Sequence, residues 1–180
     1  MRRAMGLVFV LVIGAWSVVP SARPAKSAPP KDPILVLETV KGTIEIQLFR
    51  SETPKSVDHV VELAKRSFYR GQRFHRVEKS LVQTGDPQSR DMSKEAYWGG
   101  GNSGSPIGVF ERSTKRSHVR GAVGLGHSGN PAGADSQFYI MKTTSPSLNG
   151  KYAVIGQVIA GMPVVDKIAV RDLIKNVLLK

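Results

Sequence analysis

The sequence predicts a mainly β domain: an antiparallel β-barrel, closed on itself and capped by two α-helices. Three observations lead there. Short β-type runs recur between positions 34 and 179, separated by turns drawn from 18 glycines and 11 prolines. Only two segments place apolar residues at helical spacing, and they do not alternate with the strands as a parallel sheet requires. An apolar β-type run, 174–179, ends the chain, and closure would remove the exposed edge that such a strand otherwise offers.

Residues 34–38 (ILVLE) form the first β-type run. Lys41-Gly42 makes a turn, and 43–49 (TIEIQLF) alternates polar with apolar, which reads as a hairpin with a half-buried second strand. Thr53-Pro54 offers an N-cap followed by proline at the first helical position. Val57, Val60, Val61, Ala64 and Phe68 then recur on one helical face, so the spacing predicts a helix over 54–67, with Gly71 closing the region. Further strands are expected at 74–76, 81–84, 122–125, 137–141 and 153–158, set among glycine-rich loops. Met162-Pro163 starts a second short helix carrying Val164, Val165 and Ile168.

The N-terminus is organised differently. A short positive start precedes the apolar run 7–16 (LVFVLVIGAW), and small residues follow it. This describes a secretory signal peptide over 1–22, with an uncleaved membrane anchor as the alternative. Residues 23–33 are rich in proline and alanine and read as a linker, which places the folded domain at 34–180. The chain has no cysteine, which excludes a disulfide framework, a thiolate metal site and a cysteine nucleophile. The formal charge is +12, but the basic residues are scattered rather than clustered. That pattern reads as solubility and implies no specific nucleic-acid partner.

Three segments carry polar groups that could do chemistry. They are 74–77 (FHRV) with 81–86 (LVQTGD), 124–129 (GLGHSG) with 135–140 (DSQFYI), and 147–156 (SLNGKYAVIG). Residue by residue, each has a bland reading. Arg76 can be a surface ion-pair residue, Gln83 a strand-face polar group, and Phe138, Tyr139 and Leu148 core. Alternatively, Arg76 and Gln83 point into one groove from adjacent strands.

In order, these segments resemble the cyclophilin family of peptidyl-prolyl cis/trans isomerases. The family patterns are FHR with Q-x-G-D, then S-Q-F-[FY]-I, then L-[DN]-G-[KR]-[HY]-x-V-[FI]-G. The resemblance runs from 34 to 180 and includes the segments TPKSVDHVVELA (53–64) and GMPVVDKI (161–168). It implies a closed eight-stranded antiparallel barrel with two helices. It implies acceleration of X-Pro isomerisation, whose uncatalysed barrier of about 18–20 kcal/mol reflects lost amide resonance. Arg76 takes the position of the family arginine that stabilises the twisted imide, and Gln83 that of the glutamine that orients it. Leu81, Gly126, His127, Gln137, Tyr139, Leu148 and Tyr152 take substrate-binding positions, and His75 reads as structural. Neither cofactor nor metal is implied. The implied partners are proline-containing segments of unfolded or exported proteins. They would be met by a monomer in a periplasmic or secreted location, with membrane contact only through an uncleaved N-terminal segment. A proline-segment binding or chaperone module with little catalysis is the alternative.

The chain departs from the family pattern in four places. The spacing from Arg76 to Gln83 is one residue short. His127 replaces a usual Asn, and Ser147 stands where many members have Trp. Tyr139 stands where Phe is usual, and its hydroxyl, inside a proline pocket, needs a polar partner.

Overall fold

The computed structural model describes residues 32–180. The signal peptide or anchor expected at 1–22 lies outside the described residues, as does all of the expected linker before Asp32. Among the described residues, no helix is long and apolar enough to cross a membrane.

Eight strands build one sheet. The first hairpin pairs β1 (Ile34–Thr39) with β2 (Gly42–Leu48), and α1 (Pro54–Lys65) follows. A short hairpin pairs β3 (Arg76–Val77) with β4 (Leu81–Thr84). Next come β5 (Ala122–Leu125), β6 (Phe138–Met141) and β7 (Val154–Ala160), then α2 (Met162–Lys167) and β8 (Ile174–Leu179). All neighbours are antiparallel, in the order β3-β4-β6-β5-β7-β2-β1-β8.

That order has two ends, and this corrects the expectation of a closed barrel. The sheet curls into a half-barrel whose ladder is not continuous from β3 to β8. The chain just before each edge strand fastens the two sides at an isolated bridge, Arg73 to Leu173. Phe74 N–H donates to Asp172 O at 3.0 Å and Gly71 N–H to Ile174 O at 2.9 Å. Phe74 is therefore a buried side chain of this seam, and the strand expected at 74–76 instead occupies Arg76–Val77.

Alternation sorts the side chains. Ile44, Ile46 and Leu48 of β2 are fully buried, as the pattern of 43–49 requires. They join Leu35 and Leu37 of β1, Val82, Val123, Phe138, Ile140 and Ile155 in the main core, which α1 covers with Val57, Val60, Val61 and Ala64. The alternate residues of β4, β5, β6 and β7 emerge on the opposite face. There Leu81, Ala122, Tyr139, Met141, Val154 and Phe49 form a second, smaller cluster. A four-strand stretch of sheet, β4-β6-β5-β7, thus has apolar material on both faces, and the site lies on the second one.

The start of α1 differs in detail from expectation. Thr53 occupies the N-cap position, but its hydroxyl donates to Phe49 O at 3.2 Å instead of accepting from the helix. The first-turn donors are taken by Glu111 from a distant loop, whose carboxylate accepts from Lys55 N–H at 3.1 Å and Ser56 N–H at 2.7 Å. A carboxylate at a helix N-terminus also complements the helix dipole.

Candidate active site

One register row crosses the sheet and assembles the site. Arg76 of β3 pairs with Gln83 of β4, Gln83 with Tyr139 of β6, and Tyr139 with Gly124 of β5. Directly paired residues project on the same face, so the guanidinium, the amide and the phenol stand side by side. Gly124 completes the row by having no side chain. An ideal Cβ there would lie 2.4 Å from Tyr139 Cζ and from its hydroxyl oxygen, so the hydroxyl end of the ring occupies the space over Gly124. Gly124→Ala is expected to lift that ring off the sheet. Overpacking of this kind costs about 1–3 kcal/mol, and proline-peptide affinity measured by NMR titration should fall about tenfold. Unchanged affinity would show that Tyr139 is not held by this contact.

A chain of hydrogen bonds fixes the arginine. Arg76 Nη1 donates to Gln83 Oε1 at 3.0 Å, and Arg76 Nε donates to Glu78 Oε1 at 2.7 Å. Gln83 Nε2 donates to Gln137 Oε1 at 2.8 Å. Gln137 Nε2 in turn donates to Gly99 O at 2.9 Å and Gly101 O at 2.7 Å. The amide orientations are therefore set from the backbone outward, and the guanidinium is gripped at two nitrogens, which leaves Nη2 to donate to a ligand. Arg76 is 50% exposed, so it sits at the rim of a groove and not within the core.

Beside it lies a cavity of about 120 Å³ lined by Arg76, Leu81, Gln83, Gly126, His127, Tyr139, Leu148 and Tyr152. Its volume is several times that of a water molecule, and its floor is apolar and aromatic. Tyr139 and Tyr152 meet edge to face at 5.9 Å, and His127 stacks on Tyr152 at 4.4 Å. His127 Nε2 is bonded to Lys151 O at 3.0 Å, which ties the 126–127 loop to the Tyr152 turn. Gln137 lines an adjoining, more polar cavity together with Gly99, Asn102 and Asp135. Eight of the nine residues singled out in the sequence thus line one cavity, and the ninth supports its arginine from next door.

The structure also brings in residues that sequence reading missed. His118 supplies the partner that the Tyr139 hydroxyl requires, at 2.9 Å from Nε2. Asp86 is fully buried and holds the loop that carries Gly99 and Gly101. Glu78 pairs with Arg76. No motif marks His118 or Glu78; the only signal for His118 was the unmet need of a buried phenol. The shortened 76–83 segment makes a tight hairpin in which Leu81 is 6% exposed and lines the cavity, while Ser80 O accepts from Lys142 N–H at 2.7 Å.

Burial of two histidines gives the fold a pH dependence. Burial pushes His75 below its ordinary value, against the opposing pull of the Asp86 carboxylate. Burial likewise lowers His118, against its hydrogen bond to Asn149. The unfolded chain therefore binds more protons than the folded one as pH falls below the ordinary value of 6.5. The stabilising contribution is present above that value and is lost as pH drops towards the folded-state values. Urea unfolding is expected to show stability falling between pH 7.5 and 5.5, with a limiting slope of about 1.4 kcal/mol per pH unit for each proton. A flat profile would contradict neutral burial.

Fold and site together define a class: a curled antiparallel sheet that offers a small cavity with an apolar and aromatic floor next to a fixed cationic donor. The comparisons with known proteins are specific. Residues 34–177 match the family model for cyclophilin type peptidyl-prolyl cis-trans isomerase/CLD. A probable peptidyl-prolyl cis-trans isomerase of Brucella suis is 39% identical over 148 residues, covering 80% of this chain and 74% of the relative. A peptidyl-prolyl cis-trans isomerase of Helicobacter pylori is 34% identical over 144 residues, covering 78% and 83%. Among solved structures, a Cryptosporidium parvum cyclophilin type isomerase superposes with a TM-score of 0.71 at 23% identity, covering 83% of this chain and 97% of that one. The same protein was also solved in the presence of the dipeptide Ala-Pro. The chain belongs to the cyclophilin family of peptidyl-prolyl cis-trans isomerases.

Proposed function

We propose that this isomerase acts on proline-containing segments of exported proteins as they fold, with Arg76 as the catalytic group and Gln83 as its orienting partner. The observation that carries the reading is the doubly held Arg76 guanidinium at the rim of the Tyr139–Leu148 cavity. A proline ring in that cavity would bring its imide nitrogen to the free edge of the guanidinium. As the C–N bond twists, resonance is lost and the nitrogen gains a lone pair, to which Arg76 can donate. The interaction strengthens only in the twisted state, so it lowers the barrier without tightening the ground state. No nucleophile or proton transfer is needed. Leu81, Leu148 and Tyr152 would close round the ring, and Gly126, His127 and Gln137 would border the substrate backbone.

The export part of the proposal rests on the signal-like residues 1–22. X-Pro isomerisation takes tens to hundreds of seconds unaided, slow enough to limit folding after export. The protein would act as a monomer, periplasmic or secreted, with membrane anchoring as the alternative. Its test is NMR exchange spectroscopy on an Xaa-Pro peptide with the full chain and with Arg76→Ala. Acceleration that collapses in the variant is expected. A folded wild type that binds the peptide without accelerating exchange would reduce the protein to a proline-segment binding module. Processing to a shorter chain on export, read by mass spectrometry, is the expected outcome for residues 1–22, and retention at full length in a membrane fraction would favour the anchor.

A further inference from the structure

His118 lies behind the proposed proline pocket, not in it. It is 1% exposed and does not line the cavity. Its contacts nonetheless reach two of the cavity's walls. On one side Nε2 meets the Tyr139 hydroxyl at 2.9 Å, with the rings nearly parallel at 6.0 Å. On the other side it meets Asn149, the residue after Leu148. The backbone adds a third tie, since Ser145 N–H donates to His118 O at 2.8 Å. The turn that presents Leu148 is thus fastened to residue 118 at both ends.

The hydrogen bonds also settle the proton positions. The His118 backbone N–H donates to Asn149 Oδ1 at 2.8 Å, which identifies that side-chain atom as the amide oxygen. The same oxygen lies 2.9 Å from His118 Nδ1, so Nδ1 must carry hydrogen. Burial favours the neutral ring, in which Nε2 is then a bare acceptor, and the Tyr139 hydroxyl donates to it. The phenol's only polar atom is satisfied from behind, and the ring face stays apolar towards the cavity. A usual phenylalanine at this position would need no such partner.

We propose that His118 is a positioning residue for the isomerase. Its neutral Nδ1–H imidazole ties the Tyr139 floor of the proline pocket to the Leu148–Asn149 wall and keeps the Tyr139 hydroxyl turned away from the bound ring. This rests on the proline-pocket reading above, and it adds that the phenol makes this pocket dependent on a residue the substrate never touches. An unsatisfied hydroxyl would either swing into the cavity or draw water into it, and both weaken a purely apolar contact.

The first measurement is the tautomer, by long-range ¹H–¹⁵N NMR of the histidines in the full chain. The Nδ1–H form is expected at His118, with an Nε2 resonance that shifts in Tyr139→Phe. The Nε2–H form, or an Nε2 signal indifferent to Tyr139→Phe, overturns the proposal. The second measurement is a mutant cycle read by peptide dissociation constant and exchange rate in the same spectra. His118→Ala is expected to weaken peptide binding about tenfold, with a smaller change in the bound-state exchange rate. In the Tyr139→Phe background the same substitution should weaken binding less than about threefold, because no hydroxyl remains to be satisfied. Equal factors in both backgrounds would show that His118 does not act through Tyr139. If His118→Ala does not fold, the tautomer and its response to Tyr139→Phe decide alone. Absence of exchange acceleration in the wild type would remove the isomerase reading, while the tautomer and the binding factors still judge His118.

Discussion

Alanine at Asp86 is expected to cost about 3–5 kcal/mol of stability and to lower isomerase activity by about an order of magnitude or more. Asp86 is fully buried, and its carboxylate accepts three backbone donors: Gln88 N–H at 2.8 Å, Gly99 N–H at 2.6 Å and Gly101 N–H at 3.1 Å. Hydrogen bonds to a charged group contribute about 1.5–3 kcal/mol each, and some of that is recovered as the freed loop meets water. The activity loss follows by connection. The loop held by Asp86 presents Gly99 O and Gly101 O to Gln137, Gln137 holds Gln83, and Gln83 holds Arg76. Loosening the loop therefore loosens the guanidinium through two side chains, Gln137 and Gln83. Asp86→Asn should fall between wild type and alanine, since one amide oxygen can still accept but the NH₂ group faces a donor. Urea unfolding and peptide exchange check both parts. Wild-type activity in an alanine variant of reduced stability would show that the loop does not position Arg76.

The same chain shows what the sequence makes legible. Strand positions follow from β-type runs and turn chemistry, so each of the eight strands overlaps one of the eight expected runs between 34–38 and 174–179, with β3 displaced towards Val77. Arg76 and Gln83 could be brought together from sequence because they share a hairpin. Tyr139 beside Gln83 could not, because β6 is inserted between β4 and β5 by pairings remote in sequence. The family motif supplied that neighbour where periodicity could not. Closure was misjudged for a related reason. The apolar C-terminal run does find partners, but they are β1 and an isolated bridge near Arg73, not a ladder with β3.

What stayed invisible is mostly second-layer satisfaction. Thr53 looks like an N-cap by type and position, yet its hydroxyl prefers Phe49 O, and Glu111 takes the helix donors across more than fifty positions of chain. Nothing local distinguishes Glu111 from any loop acid. His118 is hidden in the same way: a histidine among glycines and arginines acquires its role only when β6 and the 145–149 turn close over it. Polar groups of this sort are fixed by the requirement that buried donors and acceptors be paired, a condition that can be stated only once the fold is known.

Lysine at position 76 provides the sharper test of the catalytic assignment. Arg76→Lys keeps the charge, so any mechanism that needs only a positive potential near the imide should survive it. The geometry predicts otherwise. The guanidinium uses Nε for Glu78 and Nη1 for Gln83, and a third nitrogen remains for the substrate. An ammonium has one nitrogen, which cannot satisfy both partners and reach the cavity in a fixed direction. Loss of one oriented donor at a developing charge lowers rates by about 10²–10³, so kcat/KM is expected to fall by about two orders of magnitude, with Arg76→Ala at least as low. Peptide affinity should change far less, because the ground-state imide nitrogen has little lone pair to accept with. Stability should change by under about 1 kcal/mol, since Arg76 is half exposed and its ion pair with Glu78 lies in solvent. The two quantities therefore separate the readings. A rate loss without an affinity or stability loss places Arg76 at the transition state. A lysine variant of full activity would show that charge suffices and that the Gln83–Gln137 chain serves the fold. A variant weakened equally in binding and rate would make Arg76 a substrate anchor, with the twist of the imide assisted elsewhere in the pocket.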